Sequence, residues 1–230
     1  MAVTYDAVST INNNSAGPST TSHTCTGSDR LLVVCLSFYH PSSVVTALTY
    51  NGVALSLFGG FSDFQYNSEI WYLVAPATGA NTLSVTFSGS GTYGMGLSAH
   101  SFTGVDQSTP LAAFTSGSGT STTPSIAVSS AADQIVIDSL CITHSGTLTV
   151  GAGQTERSNF IDSGGNIKHG ASTETGAAST TMSWDNSTSQ GWVFSGAAIM
   201  PVSGTPAGQP YSKRVTGVPW MRPTRFSGVW

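Results

Sequence analysis

Short alternating runs of apolar and polar residues, separated by turn-forming residues, limit most strongly how this chain can fold. Within residues 81–88, Leu83, Val85 and Phe87 alternate with polar residues, which places them on one face of a half-buried strand. Nowhere do apolar residues recur at helical spacing over three turns. The pattern predicts an all-β chain whose antiparallel sheets stack face to face as a β-sandwich.

Other runs predict where the strands of the core lie. Residues 30–39 are apolar on both faces, which predicts a central strand covered on two sides, and residues 69–74, 134–142 and 192–200 follow the same pattern. Asn51-Gly52 lies between two strand-like runs, and this dipeptide tolerates the positive φ angles of a type I′ turn. A β-hairpin is therefore predicted at this point.

The chain contains weak internal similarity at an offset of about 100 residues. Ser28–Val34 resembles the run that begins at Ala132, and the run from Gly94 resembles the run from Trp192. The two halves could form two small sandwiches, or they could intercalate their strands into one larger sandwich with pseudo-twofold character. We favour one sandwich over residues 1–205. The Ser/Thr/Gly-rich stretch 115–125 is interpreted as a flexible linker or a long surface loop.

The last 25 residues differ in character from the rest. Residues 206–230 hold four of the seven basic residues of the chain and none of its eleven acidic residues, so residues 1–205 carry three basic and eleven acidic residues, a net charge of −8. Prolines at 210, 219 and 223 forbid a regular helix. We predict an extended basic and aromatic arm that either packs on a partner or folds back on its own sandwich. The partner-binding candidates are Lys213, Arg214, Val218, Trp220, Met221, Arg222, Arg225, Phe226 and Trp230.

The sequence offers no motif of catalysis or metal binding. None of its three glutamates, Glu69, Glu156 and Glu174, lies two residues from another acid, so a glycosidase would need carboxylates that only the fold brings together. The five histidines lack ligand spacing, and Cys35 and Cys141 lie inside apolar runs as small core residues. We expect no catalytic residue, no metal site and no cofactor, and hence a protein that is not an enzyme.

Aromatic residues are the stronger binding candidates. Phe58, Phe61, Phe64 and Tyr66 cluster in a glycine-containing segment interpreted as a connection between two strands. Phe61, Phe64 and Tyr66 could stack on sugar rings or on a neighbouring subunit, as could aromatic residues near 71–72 and 184–192. The alternative is a loop folded over the end of the core. The acidic body disfavours nucleic acid as a partner, and the absence of a run of 18 apolar residues disfavours a membrane.

Several of these segments resemble a known family. Thr49–Gly59, Trp71–Gly79 with Leu83–Phe87, and Phe102–Gln107 resemble a recurrent β-sandwich module of tailed-bacteriophage structural proteins. The ending Lys213–Met221 is similar to the short basic tails that close many phage virion proteins. The quoted motifs are turns and core strands, so they specify fold better than role.

The resemblance implies a jelly-roll or concanavalin-like fold and a place in the virion, after synthesis in the host cytoplasm. Its implied roles are capsid decoration (cement) protein, head fibre or spike, and tail appendage, with major capsid or tail proteins as partners. A homo-oligomer is expected, and a trimer is favoured by analogy. No catalytic residue carries over from the family. The alternative function is a lectin-like carbohydrate-binding module that attaches to host surface glycans.

Overall fold

The computed structural model describes residues 2–13, 18–40, 42, 44–88 and 94–202. Over these ranges the chain forms β-strands and no helix, which confirms the all-β prediction. The strands of the first half are β1 (Thr4–Asn13), β2 (Ser19–Cys25), β3 (Leu31–Tyr39), β4 (Val45–Tyr50), β5 (Val53–Ala54), β6 (Ser56–Asp63), β7 (Tyr66–Val74), β8 (Gly79–Phe87) and β9 (Gly94–Thr103). Those of the second half are β10 (Leu111–Ser121), β11 (Ser125–Ser129), β12 (Ile135–Thr143), β13 (Leu148–Val150), β14 (Thr155–Ile161), β15 (Ile167–Thr175), β16 (Ser179–Asn186) and β17 (Gln190–Ile199).

The two halves have the same topology. The first forms a five-stranded sheet in the order β1-β9-β3-β7-β6 and a four-stranded sheet in the order β2-β8-β4-β5. The second forms a five-stranded sheet in the order β10-β17-β12-β15-β14 and a three-stranded sheet in the order β11-β16-β13. The similar sequence runs fall on corresponding strands, β3 with β12 and β9 with β17. The weak similarity is therefore matched by a structural duplication.

The favoured interpretation of intercalated strands is wrong. Every sheet draws its strands from one half, and the bridge between Val105 and Pro201 is the one backbone pairing described between the halves. Instead, the two five-stranded sheets pack back to back, which gives four layers and three buried clusters: one inside each half and one at the junction between them. Each five-stranded sheet can pack on both sides because its central strands present buried residues to both faces.

The central strands agree with their sequence pattern. All residues of β3 from Leu31 to Phe38 are buried, and β12 is buried from Val136 to Ile142. In β8, Leu83, Val85 and Phe87 are buried while the residues between them are partly exposed, as alternation predicts. Burying each such aliphatic side chain contributes about 1.5–3 kcal/mol before entropy is subtracted.

The predicted hairpin at Asn51-Gly52 is also confirmed. Both residues have positive φ, 51° and 76°, and they connect the paired strands β4 and β5. A type I′ turn needs this conformation at both central positions.

The stretch 115–125 was interpreted wrongly as a linker or loop. Residues up to Ser121 belong to β10, which pairs along its length with β17. A Cβ added at Gly119 would lie 2.9 Å from the ring of Trp192, so the glycine leaves room for this indole on the strand. Composition suggested flexibility, whereas the sheet partner and the large ring above the strand stabilise extended backbone.

Candidate functional site

The structure brings exposed and partly buried aromatic residues together in a cleft between the halves. Here the tip of the β6–β7 hairpin approaches the ends of β10 and β17, and the cavity measures about 120 Å³. Its lining residues are Asp63, Phe64, Tyr66, Gly119, Thr120, Gly191, Trp192 and Val193. We call this group the aromatic cleft.

Phe64 is the most unusual residue of the cleft. It occupies the turn between β6 and β7 with a φ of 56°, a left-handed conformation that is rare for a bulky side chain. Its side chain is 93% exposed. Phe64 therefore combines a strained backbone with an apolar ring in solvent, and such strain at an exposed site is typical of a functional role.

Tyr66 forms the neighbouring wall of the cleft. It begins β7 and pairs with Tyr39 of β3, and the two rings lie 5.1 Å apart at an interplanar angle of 31°. This contact limits the rotation of Tyr66, so the first half contributes a preorganised ring beside the exposed Phe64.

Trp192 also lines the cleft, from the second half. Its Nε1 donates a hydrogen bond of 2.9 Å to Oγ of Ser121, and its ring packs edge-to-face on Phe194 at 6.5 Å. Gly117 and Gly119 of β10 lie beneath the indole. The orientation of Trp192 is thus determined by a hydrogen bond, a ring contact and a strip of strand without side chains.

These features allow non-catalytic binding of a flat ligand that has apolar faces and polar edges. Aromatic rings offer large contact area and few rotatable bonds, and the Asp63 carboxylate beside them can accept hydrogen bonds from ligand hydroxyl groups. Pockets of this composition, mainly apolar with a few polar groups, are typical of small-molecule recognition.

The sequence-predicted candidates have different outcomes. Phe64 and Tyr66 line the cleft, whereas Phe61 is a partly buried residue of β6 that pairs with Ser68. The segment around them is strand and tight turn, so its interpretation as a loop is wrong. Phe58 packs on Tyr72 and Phe114 at the junction between the halves. The candidate residues of the arm lie outside the described residues.

Of the predicted aromatic residues near 71–72 and 184–192, Trp192 lines the cleft, whereas Trp71 and Trp184 do not. Trp184 is fully buried in the core of the second half, so it cannot contact a ligand. Trp71 packs at the edge of the first core, and its Nε1 donates to Glu69. Sequence reasoning missed Asp63 and the two glycines of β10. The spacing of Gly117 and Gly119, which puts both on one face of a strand, was the available signal for the glycines.

One buried carboxyl group resembles a catalytic acid in its pKa alone. Desolvation raises the pKa of Asp138 to about 7. Its carboxylate accepts hydrogen bonds from Ser172, Trp184 and Gln154, and the residue is fully buried in the second core. Hydrogen-bond donors of the protein thus surround the Asp138 carboxyl group, and its role is to hold the buried core of the second half together.

The described residues contain no cluster of three His, Cys, Asp or Glu side chains that could hold a metal ion. The same part of the chain contains no helix of the length and apolarity needed to cross a membrane. The cysteines Cys25, Cys35 and Cys141 are free and buried, as expected for Cys35 and Cys141.

Fold and cleft together define a duplicated, four-layer antiparallel β-sandwich with an aromatic-lined cleft at the junction of its halves. No protein-family model, no curated protein and no solved structure matches this chain significantly.

Proposed function

We propose that this chain is a non-enzymatic structural protein of a phage particle, a capsid decoration or spike protein attached through residues 206–230. The observation that supports this most is the charge contrast between the arm and the body. The arm has four basic residues and no acidic residue, while residues 1–205 have a net charge of −8. Opposite charges attract the arm to an acidic body, either its own or that of a neighbouring copy.

The composition of the body is consistent with display in a packed shell. Charged residues make up 8% of the chain, far below the roughly 25% of ordinary soluble domains. The segments that resemble phage modules, including 49–59 and 71–79, fall on strands and turns of the first half. The location of these segments supports a β-sandwich module of the phage type. The segments contribute strands and turns to it and no catalytic group.

Solution mass tests the attachment role. Light scattering should find a defined oligomer for the full chain and a folded monomer for a chain ending at Thr205, with circular dichroism to verify folding. A full-length variant in which Lys213, Arg214, Arg222 and Arg225 become glutamate should also be monomeric, because the charge attraction is reversed. An oligomer of unchanged mass in both variants would refute the arm as the assembly element.

A second function, carbohydrate binding for host attachment, is favoured by the aromatic cleft. Phe64 projects into solvent from a strained turn, and Trp192, held by its hydrogen bond to Ser121, lines the same cleft. Aromatic faces can pack on the C–H face of a pyranose while Asp63 accepts hydrogen bonds from its hydroxyl groups. The two functions are compatible, since a displayed virion protein can both assemble and bind a surface glycan.

A glycan array with purified full-length protein tests this second function. We expect Phe64→Ala or Trp192→Ala to weaken binding about 30-fold, since removing a central aromatic contact costs about 2 kcal/mol. Val53→Ala is the matched control, because Val53 is also an exposed apolar residue but lies in β5 of the four-stranded sheet. A blank array with folded protein, or equal losses in all three variants, would count against the cleft as a sugar site.

A further inference from the structure

A continuous chain of buried hydrogen bonds crosses the junction between the two five-stranded sheets. Oη of Tyr5 lies 3.1 Å from Nδ1 of His100, and Nε2 of His100 lies 2.8 Å from Oγ of Ser98. Oγ of Ser98 lies 2.8 Å from Nε2 of His169, whose Nδ1 lies 2.9 Å from Oγ of Ser37. Ser37 in turn donates to the carbonyl of Leu140 at 3.0 Å. His169 and Leu140 belong to the second half and the other members to the first.

The last bond determines the direction of all the others. A serine hydroxyl has one proton, and Ser37 uses it on the Leu140 carbonyl, so Nδ1 of His169 must donate to Ser37. Nε2 of His169 is then an acceptor for the hydroxyl of Ser98, which leaves Ser98 to accept from Nε2 of His100. Nδ1 of His100 accepts from Tyr5. Both imidazoles are neutral, and every nitrogen in the chain has one partner of the right kind.

A second proton on His169 has no acceptor in this arrangement. If His169 gains a proton on Nε2, that nitrogen becomes a donor that faces the donating hydroxyl of Ser98. If Ser98 turned its proton away, it would point at the donating Nε2 of His100. A charged His169 would therefore be buried with an unmatched hydrogen bond, since this residue is fully buried.

The surrounding groups do not compensate such a charge. The groups that act electrostatically on His100 are His169, His23 and Arg157, and all three lower its pKa. Tyr5 is the acidic group in contact with His100, and desolvation raises the pKa of its phenol to about 12. Asp6, the next residue, instead accepts hydrogen bonds from Thr26 and Ser101.

His169 lies among weaker groups. It contacts the ring of Phe160 at 5.1 Å and pairs in register with Cys141, and the buried thiol of Cys35 lies on the facing sheet. Burial lowers the pKa of His169 to about 3 and holds that of His100 well below its usual range.

We propose that this hydrogen-bond chain is an acid-sensitive latch: protonation of His169 releases the junction between the two halves while the core inside each half stays closed. The junction contains both histidines and several buried serines, including Ser37, Ser98 and Ser195. The inner core of the second half contains Asp138 as its buried ionisable group beside Trp184, and acid neutralises that carboxyl. The inner core of the first half contains His23 against Tyr50, which is the one inner group that acid charges among the described residues.

The three native cysteines report on the opening of each layer. Cys35 belongs to the junction cluster, and Cys141 lies in register with His169 on the same sheet. Cys25 belongs to the core inside the first half. All three are fully buried and free. The full-length protein would be treated with 4,4′-dithiodipyridine, which reacts with thiols in acid, between pH 7 and pH 4, and each cysteine would be followed by peptide mass spectrometry.

We expect labelling of Cys35 and Cys141 to accelerate about tenfold per pH unit for each histidine that gains a proton on opening, below pH about 6.5. Labelling of Cys25 should lag behind, most clearly in His23→Gln, where the core around Cys25 has no histidine to protonate. His169→Asn can still donate to Ser37 but cannot be protonated. In this variant the acceleration of Cys35 and Cys141 labelling should be smaller by about a factor of ten for each pH unit, even if labelling at neutral pH is faster. His144→Asn is the matched control, since His144 is exposed, and it should leave the pH dependence unchanged.

The proposal fails if all three cysteines are labelled together at every pH, because acid would then unfold the whole chain. If the three cysteines are also labelled together in His23→Gln, protonation of His23 near Cys25 is not the cause of the joint labelling. An unchanged pH dependence in His169→Asn would equally overturn the proposal, since the hydrogen-bond chain would then not be the element that senses protons.

Discussion

The two halves share one topology but place different residues at corresponding positions. The sequence similarity aligns Ile135 with Leu31, so the buried Asp138 of the second half corresponds to the buried Val34 of the first. The hairpin β6–β7 corresponds to β14–β15, yet one ends in the exposed Phe64 and the other in the buried Asp162. A duplicated sheet order thus tolerates an apolar residue in one copy and a carboxyl group in the other.

The two hairpin tips show what this difference does. Asp162 accepts backbone hydrogen bonds from Gly164, Asn166 and Ile167 at 2.5–2.7 Å, and the carbonyl of Ile161 accepts a hydrogen bond from Asn12 of the first half. The second hairpin is therefore clamped by a carboxylate and docked on the other half. The first hairpin instead projects Phe64 over an open cleft. One junction edge is thus closed by hydrogen bonds, whereas the other leaves an open cleft.

The largest predicted effect is on how the free energy of unfolding depends on pH through the buried Asp138. The folded pKa of Asp138 is raised from 3.8 to about 7, so its contribution to stability is present below pH about 4 and is lost as pH rises through 7. The shift corresponds to about 4 kcal/mol. In Asp138→Asn the unfolding free energy, measured by urea denaturation from pH 4 to 8, should lack this fall.

The histidines act in the opposite direction in the same experiment. Burial lowers the pKa of His23 to about 4 and that of His169 to about 3, so their contribution is present above pH 6.5 and is lost as pH falls. The test is therefore the difference between wild type and variant at each pH. A constant difference would show that Asp138 has no raised pKa.

Removing the clamp of the second hairpin is the next largest effect. Asp162→Ala should destabilise the protein by about 3 kcal/mol in urea denaturation, because three backbone donors lose a shared carboxylate acceptor. Asp63→Ala is the matched control at the first hairpin, where we expect a change within about 0.5 kcal/mol. Equal effects in the two variants would remove the distinction between a clamped and an open hairpin.

Overfilling the cleft floor should cost less. A Cβ at Gly119 lies within 3 Å of the Trp192 ring, so Gly119→Ala should displace the indole and destabilise the fold by about 1–2 kcal/mol. Tryptophan fluorescence should change as Trp192 loses its hydrogen bond to Ser121. Gly191→Ala is the matched control, because a Cβ added there would meet only an atom of Thr143 at 3.7 Å. Gly52→Ala is unsuitable, because the positive φ of Gly52 makes any side chain there strained.

The smallest effect should be a gain in stability. Phe64→Asn should stabilise the protein by about 0.5–1 kcal/mol, because asparagine tolerates the left-handed conformation better and removes an exposed apolar ring. A melting temperature that rises while ligand binding is lost would identify Phe64 as a residue kept for recognition. A fall in melting temperature would show that Phe64 contributes to packing, and the functional interpretation of its strain would fail.

Much of the fold could be predicted because its signals are local. Alternation predicted β8, continuous apolar residues predicted β3 and β12, and Asn51-Gly52 predicted a turn that depends on two adjacent φ angles. The β10 strand escaped prediction because Gly117 and Gly119 become strand residues only where Trp192 of another strand covers them. The cleft escaped for the same reason: Phe64 and Trp192 are far apart in sequence.

The sequence by itself therefore determined the class of fold, the central strands and the charge contrast between residues 206–230 and the acidic remainder, because these follow from periodicity and composition. Only the tertiary structure decided how the halves associate. Back-to-back packing depends on which faces of the five-stranded sheets meet, and the partners of His169, Asp138 and Phe64 come from distant strands. Hydrogen-bond direction, burial and the resulting pKa values are properties of those contacts, so no local pattern in the chain encodes them.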